Sequence, residues 1–143
     1  MRVLYLESPS GYGGSMQSLL DLLAYLPAEV EPVIAATYHP SAYRPLPDKL
    51  VVEVISPPLA IGRYAYLRLI TYQLGWYRLA RRLLDRFRPD LLVTNNTPLS
   101  VFGAAIAAVR KEIPVLTYAR GFVQSRWLLR RVSRYYHKCI AIS

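Results

Sequence analysis

Cysteine is almost absent from this chain, and carboxylates are scarce. The single cysteine, Cys139, excludes an internal disulfide and fits a reducing, cytoplasmic setting. Nine acids in 143 residues form no pair spaced for acid–base chemistry. Nor is there a Ser/His/Asp arrangement or a metal-ligand spacing, so neither a hydrolase triad nor a metal centre is expected. Long apolar runs are missing too. Residues 99–109 form the longest uncharged one, far short of the roughly 20 residues a membrane-spanning helix needs. No leader is read at the N-terminus, because Met1-Arg2 runs straight into a strand pattern. There are no internal repeats and no low-complexity stretches.

What is present is a packable, basic chain. Hydrophobic residues make up 53%, so a globular core is expected and disorder is not. The length suits one domain, 1–143, that buries roughly two-thirds of its unfolded surface. The net charge of +9 is unevenly placed. Residues 1–61 carry −3 and residues 89–119 balance to zero, whereas 62–88 and 120–143 carry +6 each. Two segments thus hold the whole excess, which points to a polyanionic partner.

Strand and helix patterns alternate along the chain. Apolar strands are expected at 3–6, 32–37, 51–55, 91–94, 115–118 and 139–142, with Cys139 in the core. Helices are expected at 15–26, with Ser15 as N-cap, and at 63–88, 99–111 and 124–137. In the longest helix, Tyr66, Ile70, Gln73, Tyr77, Ala80, Leu84 and Phe87 share one face. Arg68, Arg78, Arg82 and Arg86 lie on the other, and Gly75 is a candidate bend. Residues 38–49, with three prolines, read as loop. The alternation predicts an α/β fold: a doubly wound, mostly parallel, Rossmann-like sheet of about six strands with helices on both faces. Ligands of such sheets bind beyond the carboxyl ends of the strands. Three polar tips fall there: the glycine turn after the first strand, Asn95-Asn96-Thr97 after the fourth, and Arg120-Gly121 after the fifth.

The glycine turn, Glu7-Ser-Pro-Ser-Gly11-Tyr-Gly13-Gly14-Ser15, joins the first strand to the first helix. Glycine there admits a ligand without a Cβ in the way, and the unpartnered amides of the helix start favour an anion, expected to be phosphate. It is not the dinucleotide fingerprint. Gly11 and Gly13 fit, but Met16 stands at the third position and no acid follows the second strand. A P-loop fails as well, since no Gly-Lys-Ser/Thr follows.

Several landmarks together resemble the N-terminal domain of family 4 glycosyltransferases, which have the two-domain GT-B fold. They are Arg2-Val-Leu-Tyr-Leu with Gly13-Gly14, Arg88-Pro-Asp-Leu-Leu-Val-Thr-Asn95-Asn96-Thr, Ile113-Pro-Val-Leu-Thr-Tyr-Ala-Arg120 and Cys139-Ile-Ala-Ile-Ser143. The resemblance implies transfer of a sugar from a nucleotide-sugar donor to a glycan or lipid-linked acceptor. Retained configuration is implied, with no cofactor and no metal. It implies that Gly13, Gly14 and Ser15 face the donor diphosphate, and that this lobe holds the acceptor. Where many members carry a sugar-contacting histidine, this chain has Arg120, a cation suited to a phosphate or a carboxylate. The C-terminal nucleotide-sugar-binding domain, with its basic pair and Glu-x7-Glu pattern, is absent from this chain. The lobe alone is therefore expected to be inactive.

Asn95, Asn96 and Thr97 are candidates for acceptor hydroxyls, or for an Asx turn leading into the next helix. Glu7 is a candidate to orient an acceptor hydroxyl or balance Arg120, and Gly121 lies beside that arginine. His39 reads as a loop residue and His137 as a helix end without chemistry. Arginines interleaved with Tyr64, Tyr66, Tyr72, Trp76, Tyr77 and Trp127 suit anionic headgroups. Arg78, Arg82, Arg130 and Arg131 are the expected membrane-facing residues, at the inner face of the membrane. Nucleic acid is not expected, for want of a recognition module. The competing reading is a non-catalytic anion- or membrane-binding α/β module.

Overall fold

The computed structural model describes residues 1–8, 13–42, 44–95, 98–120 and 126–142. Six parallel strands form one sheet in the order β3-β2-β1-β4-β5-β6. They are β1 (Arg2–Glu7), β2 (Glu31–Ala36), β3 (Val51–Val54), β4 (Leu91–Thr94), β5 (Val115–Arg120) and β6 (Lys138–Ile142). The helices are α1 (Gly14–Ala24), α2 (Ala65–Phe87), α3 (Phe102–Val109) and α4 (Arg126–Ser133). A 3-10 turn, Pro40–Ala42, punctuates the proline-rich loop.

Period-two alternation sorts the core into two layers. Val3, Tyr5, Ile34, Ala36 and Val93 turn toward Met16, Leu19, Leu20 and Leu23 of α1. Leu4, Leu6, Val33, Ala35 and Leu92 turn the other way, toward Trp76, Ala80 and Leu84 of α2 and the alanines of α3. Both faces are covered, which is why the strands read as continuous apolar runs. The chain winds from β1 outward to β3, then α2 carries it back across the sheet to β4. Strand order therefore reverses between β1 and β4, and ligands of open α/β sheets bind at such a point.

Two expectations fail in detail, and the shared face of α2 is only partly covered. Tyr66 and Ile70 are 62% and 58% exposed. Helical periodicity tells which residues share a face, not whether anything covers it. The buried residues of α2 are Trp76, Ala80, Leu83 and Leu84, all in its second half. Gly75 is no bend, since α2 runs through it unbroken. A Cβ there would lie 2.3 Å from Pro58 Cβ, so it is glycine to admit the proline. Cys139 is exposed, because β6 is an edge strand.

Candidate functional site

The reversal between β1 and β4 brings together residues far apart in sequence. Glu7 ends β1 and is fully buried. Its carboxylate accepts hydrogen bonds from Ser15 Oγ at 2.8 Å and from Asn95 Nδ2 at 2.5 Å. Asn95, also fully buried, donates from Nδ2 to the Ser15 carbonyl at 2.9 Å. Its own amide donates to the Leu6 carbonyl. A buried carboxylate is costly unless donors compensate it, and these donors come from the start of α1 and the end of β4. The network therefore clamps three elements at one point beneath the glycine turn.

Ser15 is not the N-cap. That position is Gly13, whose carbonyl accepts the first intrahelical bond from Gln17 at 3.0 Å. The serine hydroxyl is occupied by Glu7 instead. The amides of Gly14, Ser15 and Met16 precede the helical ladder, where donors lack intrahelical partners. Gly13 and Gly14 are exposed, and a Cβ added to either would meet none of the described residues within 4 Å. Gly13 has φ −155°, an extended conformation open to any residue. Among the described residues, neither packing nor backbone strain demands glycine here.

Arg120 ends β5 at the same edge, with its side chain outside the described residues, as are Gly11, Asn96, Thr97 and Gly121. His39 lies in the loop, its Nδ1 bonded to Ser41 Oγ. His137 follows α4 rather than ending it, and its Nδ1 accepts from the Val115 amide at 3.0 Å, so it pins the start of β5. Arg78, Arg82, Arg130 and Arg131 are exposed.

Three supports of the site had no sequence signal. Thr94 Oγ1 donates to Thr117 Oγ1 at 2.8 Å, joining β4 to β5 in the buried interior. Tyr136 donates its hydroxyl to the Pro98 carbonyl at 2.7 Å, holding the segment after β4. Burial pushes that phenol well above its ordinary pKa. Gln73 accepts from the Gly103 amide at 2.8 Å and donates to the Leu99 carbonyl at 2.9 Å, so α2 caps the start of α3.

Comparison with known proteins fits this architecture. The family model described as glycosyl transferase 4-like domain matches residues 13–143. No curated protein matches the chain. UDP-GlcNAc 2-epimerase from Neisseria meningitidis, bound to UDP-GlcNAc, superposes with TM-score 0.65 at 17% identity, over 99% of this chain and 40% of that one. S. aureus MnaA with UDP gives 0.65 at 12%, over 98% and 37%. MurG from Acinetobacter baumannii gives 0.61 at 14%, over 100% and 41%. At these identities the likeness is one of fold, and the chain spans about two-fifths of those structures.

Proposed function

The chain belongs to the glycosyl transferase 4-like domain family, and from that premise we propose that it is the acceptor-side lobe of a GT-B sugar transferase. A nucleotide-sugar donor is held by a second lobe, and the sugar passes with retention to a glycan or lipid-linked acceptor. The reading is supported by the open glycine pair at the β1/β4 reversal. Among the described residues, none fills the space beside Gly13 and Gly14, next to amides that precede the helical ladder. In this proposal, those amides and the helix dipole face the donor diphosphate. Charge that develops on the leaving group is stabilised by fixed dipoles, with no metal required.

The buried Glu7–Ser15–Asn95 clamp holds the helix start at a fixed distance from β4. Glu7 thereby positions the turn rather than touching substrate. Asn95, buried in the clamp, positions the turn instead of meeting the acceptor. In this proposal Arg120, Asn96 and Thr97 serve the acceptor, and the exposed Arg78, Arg82, Arg130 and Arg131 hold the lobe against anionic headgroups at the inner face of the membrane. The lobe without its partner does not transfer sugar.

The test is Gly14→Val in the two-lobed transferase. Transfer is expected to fall by about two orders of magnitude or more, the scale of a lost dipolar contact to the transition state. The thermal melt of the lobe should stay near wild type, since none of the described residues stands within 4 Å. Activity that survives would reduce the turn to a structural element.

A further inference from the structure

α2 overhangs the sheet. Its 23 residues run about 34 Å, whereas the four residues of β4 run about 13 Å. Gln73 is level with the start of α3, just past the carboxyl end of β4. The helix before Gln73, and the segment leading into it, therefore project past the edge that carries Glu7, Gly13 and Asn95. This projection is uncovered and mostly apolar: Leu59, Ile61, Tyr64, Tyr66, Leu69 and Ile70 are 53–77% exposed, and the exposed Arg63 and Arg68 among them have stems long enough to reach back to the headgroups. Tyr64 and Tyr66 stack with ring centroids 5.9 Å apart. Behind it the surface turns cationic. Arg78 and Arg82, one helical turn apart, border a trough of about 400 Å³ walled by Pro58, Leu59, Ile61 and Leu74. The ion pairs among the described residues engage other groups. No carboxylate occurs between Glu53 and Asp85.

We propose that the projecting half of α2 inserts into the headgroup–acyl boundary of an anionic phospholipid bilayer, with Arg78 and Arg82 at the level of the phosphates. This rests on the membrane part of the proposed function and names the inserting segment. Charge selects the occupant. A second copy would bring another segment of charge +6 against the first, and like charges repel. A bilayer with anionic headgroups supplies both an apolar depth for the tip and phosphates for the arginines behind it. Tyrosines suit that boundary because their rings are apolar and their hydroxyls polar. The helix does not cross: no helix among the described residues is long and apolar enough. Insertion would bring the carboxyl edge of the sheet close to the membrane surface.

The test uses sedimentation with phosphatidylcholine vesicles containing one quarter phosphatidylglycerol. The triple variant Tyr66→Ser, Leu69→Ser, Ile70→Ser changes only exposed side chains, and circular dichroism should match wild type. Its partitioning is expected to fall about tenfold or more. A second measurement reads depth. With Cys139→Ser, Tyr66→Cys is labelled with an environment-sensitive fluorophore, which should shift to the blue on vesicles and be quenched by brominated acyl chains. If the protein binds vesicles through its arginines while the label stays in water, insertion is overturned and the surface reading stands. If wild type ignores anionic vesicles altogether, both fall. A lipid-free dimer that the triple variant dissolves would assign the ledge to a second copy and overturn the proposal.

Discussion

The seam between α2 and α3 and the turn between β1 and α1 both rely on glycine, for opposite reasons. A Cβ on Gly103 would stand 1.9 Å from the Gln73 carbonyl oxygen and 2.9 Å from the Tyr77 amide nitrogen. There glycine lets two backbones touch. At Gly13 and Gly14 the same added atom meets none of the described residues within 4 Å, and neither residue has a positive φ. There the described residues give no reason for glycine, which fits the proposal that a ligand approaches the turn. A glycine forced by its neighbours reports on packing, while one that its described neighbours leave free supports the proposed ligand at the turn.

The largest effect should come from Gly103→Ala. The helices must part or the Gln73 carbonyl must move, and the Gln73–Gly103 bond goes with it. A loss of about 3 kcal/mol or more is expected, the range of overpacking plus a broken buried hydrogen bond. The midpoint of urea unfolding measures it. A loss under about 1 kcal/mol would mean that the seam yields easily and that the contrast with the turn is weak.

Glu7→Ala comes next. It removes the acceptor from Ser15 Oγ and Asn95 Nδ2 together, and of the two only Asn95 Nδ2 keeps a partner among the described residues, the Ser15 carbonyl. About 2 to 3 kcal/mol is expected, with Glu7→Gln losing less because its amide oxygen still accepts from one donor. If both variants melt with wild type, the network is not what fixes the turn.

Much of this contrast was legible in the sequence, and the rest could not have been. The sheet was readable because buried parallel strands leave continuous apolar runs, as at residues 3–6 and 91–94. The glycine turn was readable because Gly13-Gly14 sits between a strand pattern and a helix pattern. Gly75 and Gly103 were not, since their reasons lie in Pro58 and Gln73, reached only through tertiary packing. Ser15 looked like a cap because a serine before an apolar helix often is one. Its partner Glu7 is eight residues upstream, and their meeting depends on where the strand ends. Thr94, Thr117 and Tyr136 gave no signal, because threonine and tyrosine are ordinary strand and core residues until a partner is seen.

Alkaline titration separates the two faces of the sheet more gently. Burial, with a smaller contribution from Tyr118, pushes the Tyr5 phenol up to about 12. Burial raises Tyr136 too, on the opposite face. A raised phenol favours the folded state fully below its unfolded value, about 10. That stabilisation is lost as pH rises through the folded value. Melting temperature should therefore decline from about pH 10 upward, and Tyr5→Phe should remove the part of the slope that belongs to the α1 side. A decline that Tyr5→Phe leaves intact would move the sensitivity to Tyr136.

The smallest effect is the most informative. Gly14→Ala places a better helix former at the first position of α1, worth up to about 1 kcal/mol. Gly13→Ala replaces a tolerated cap by a poorer one and costs about 0.5 to 1 kcal/mol. The double alanine variant should therefore unfold within about 1 kcal/mol of wild type, against the roughly threefold larger loss at Gly103. Its transfer activity in the two-lobed enzyme should nevertheless fall, because two methyl groups stand where the diphosphate would approach. If the double variant unfolds as readily as Gly103→Ala, the protein's own chain fills the space above the turn and the contrast fails. If it is both stable and fully active, the opening is real but the donor does not use it.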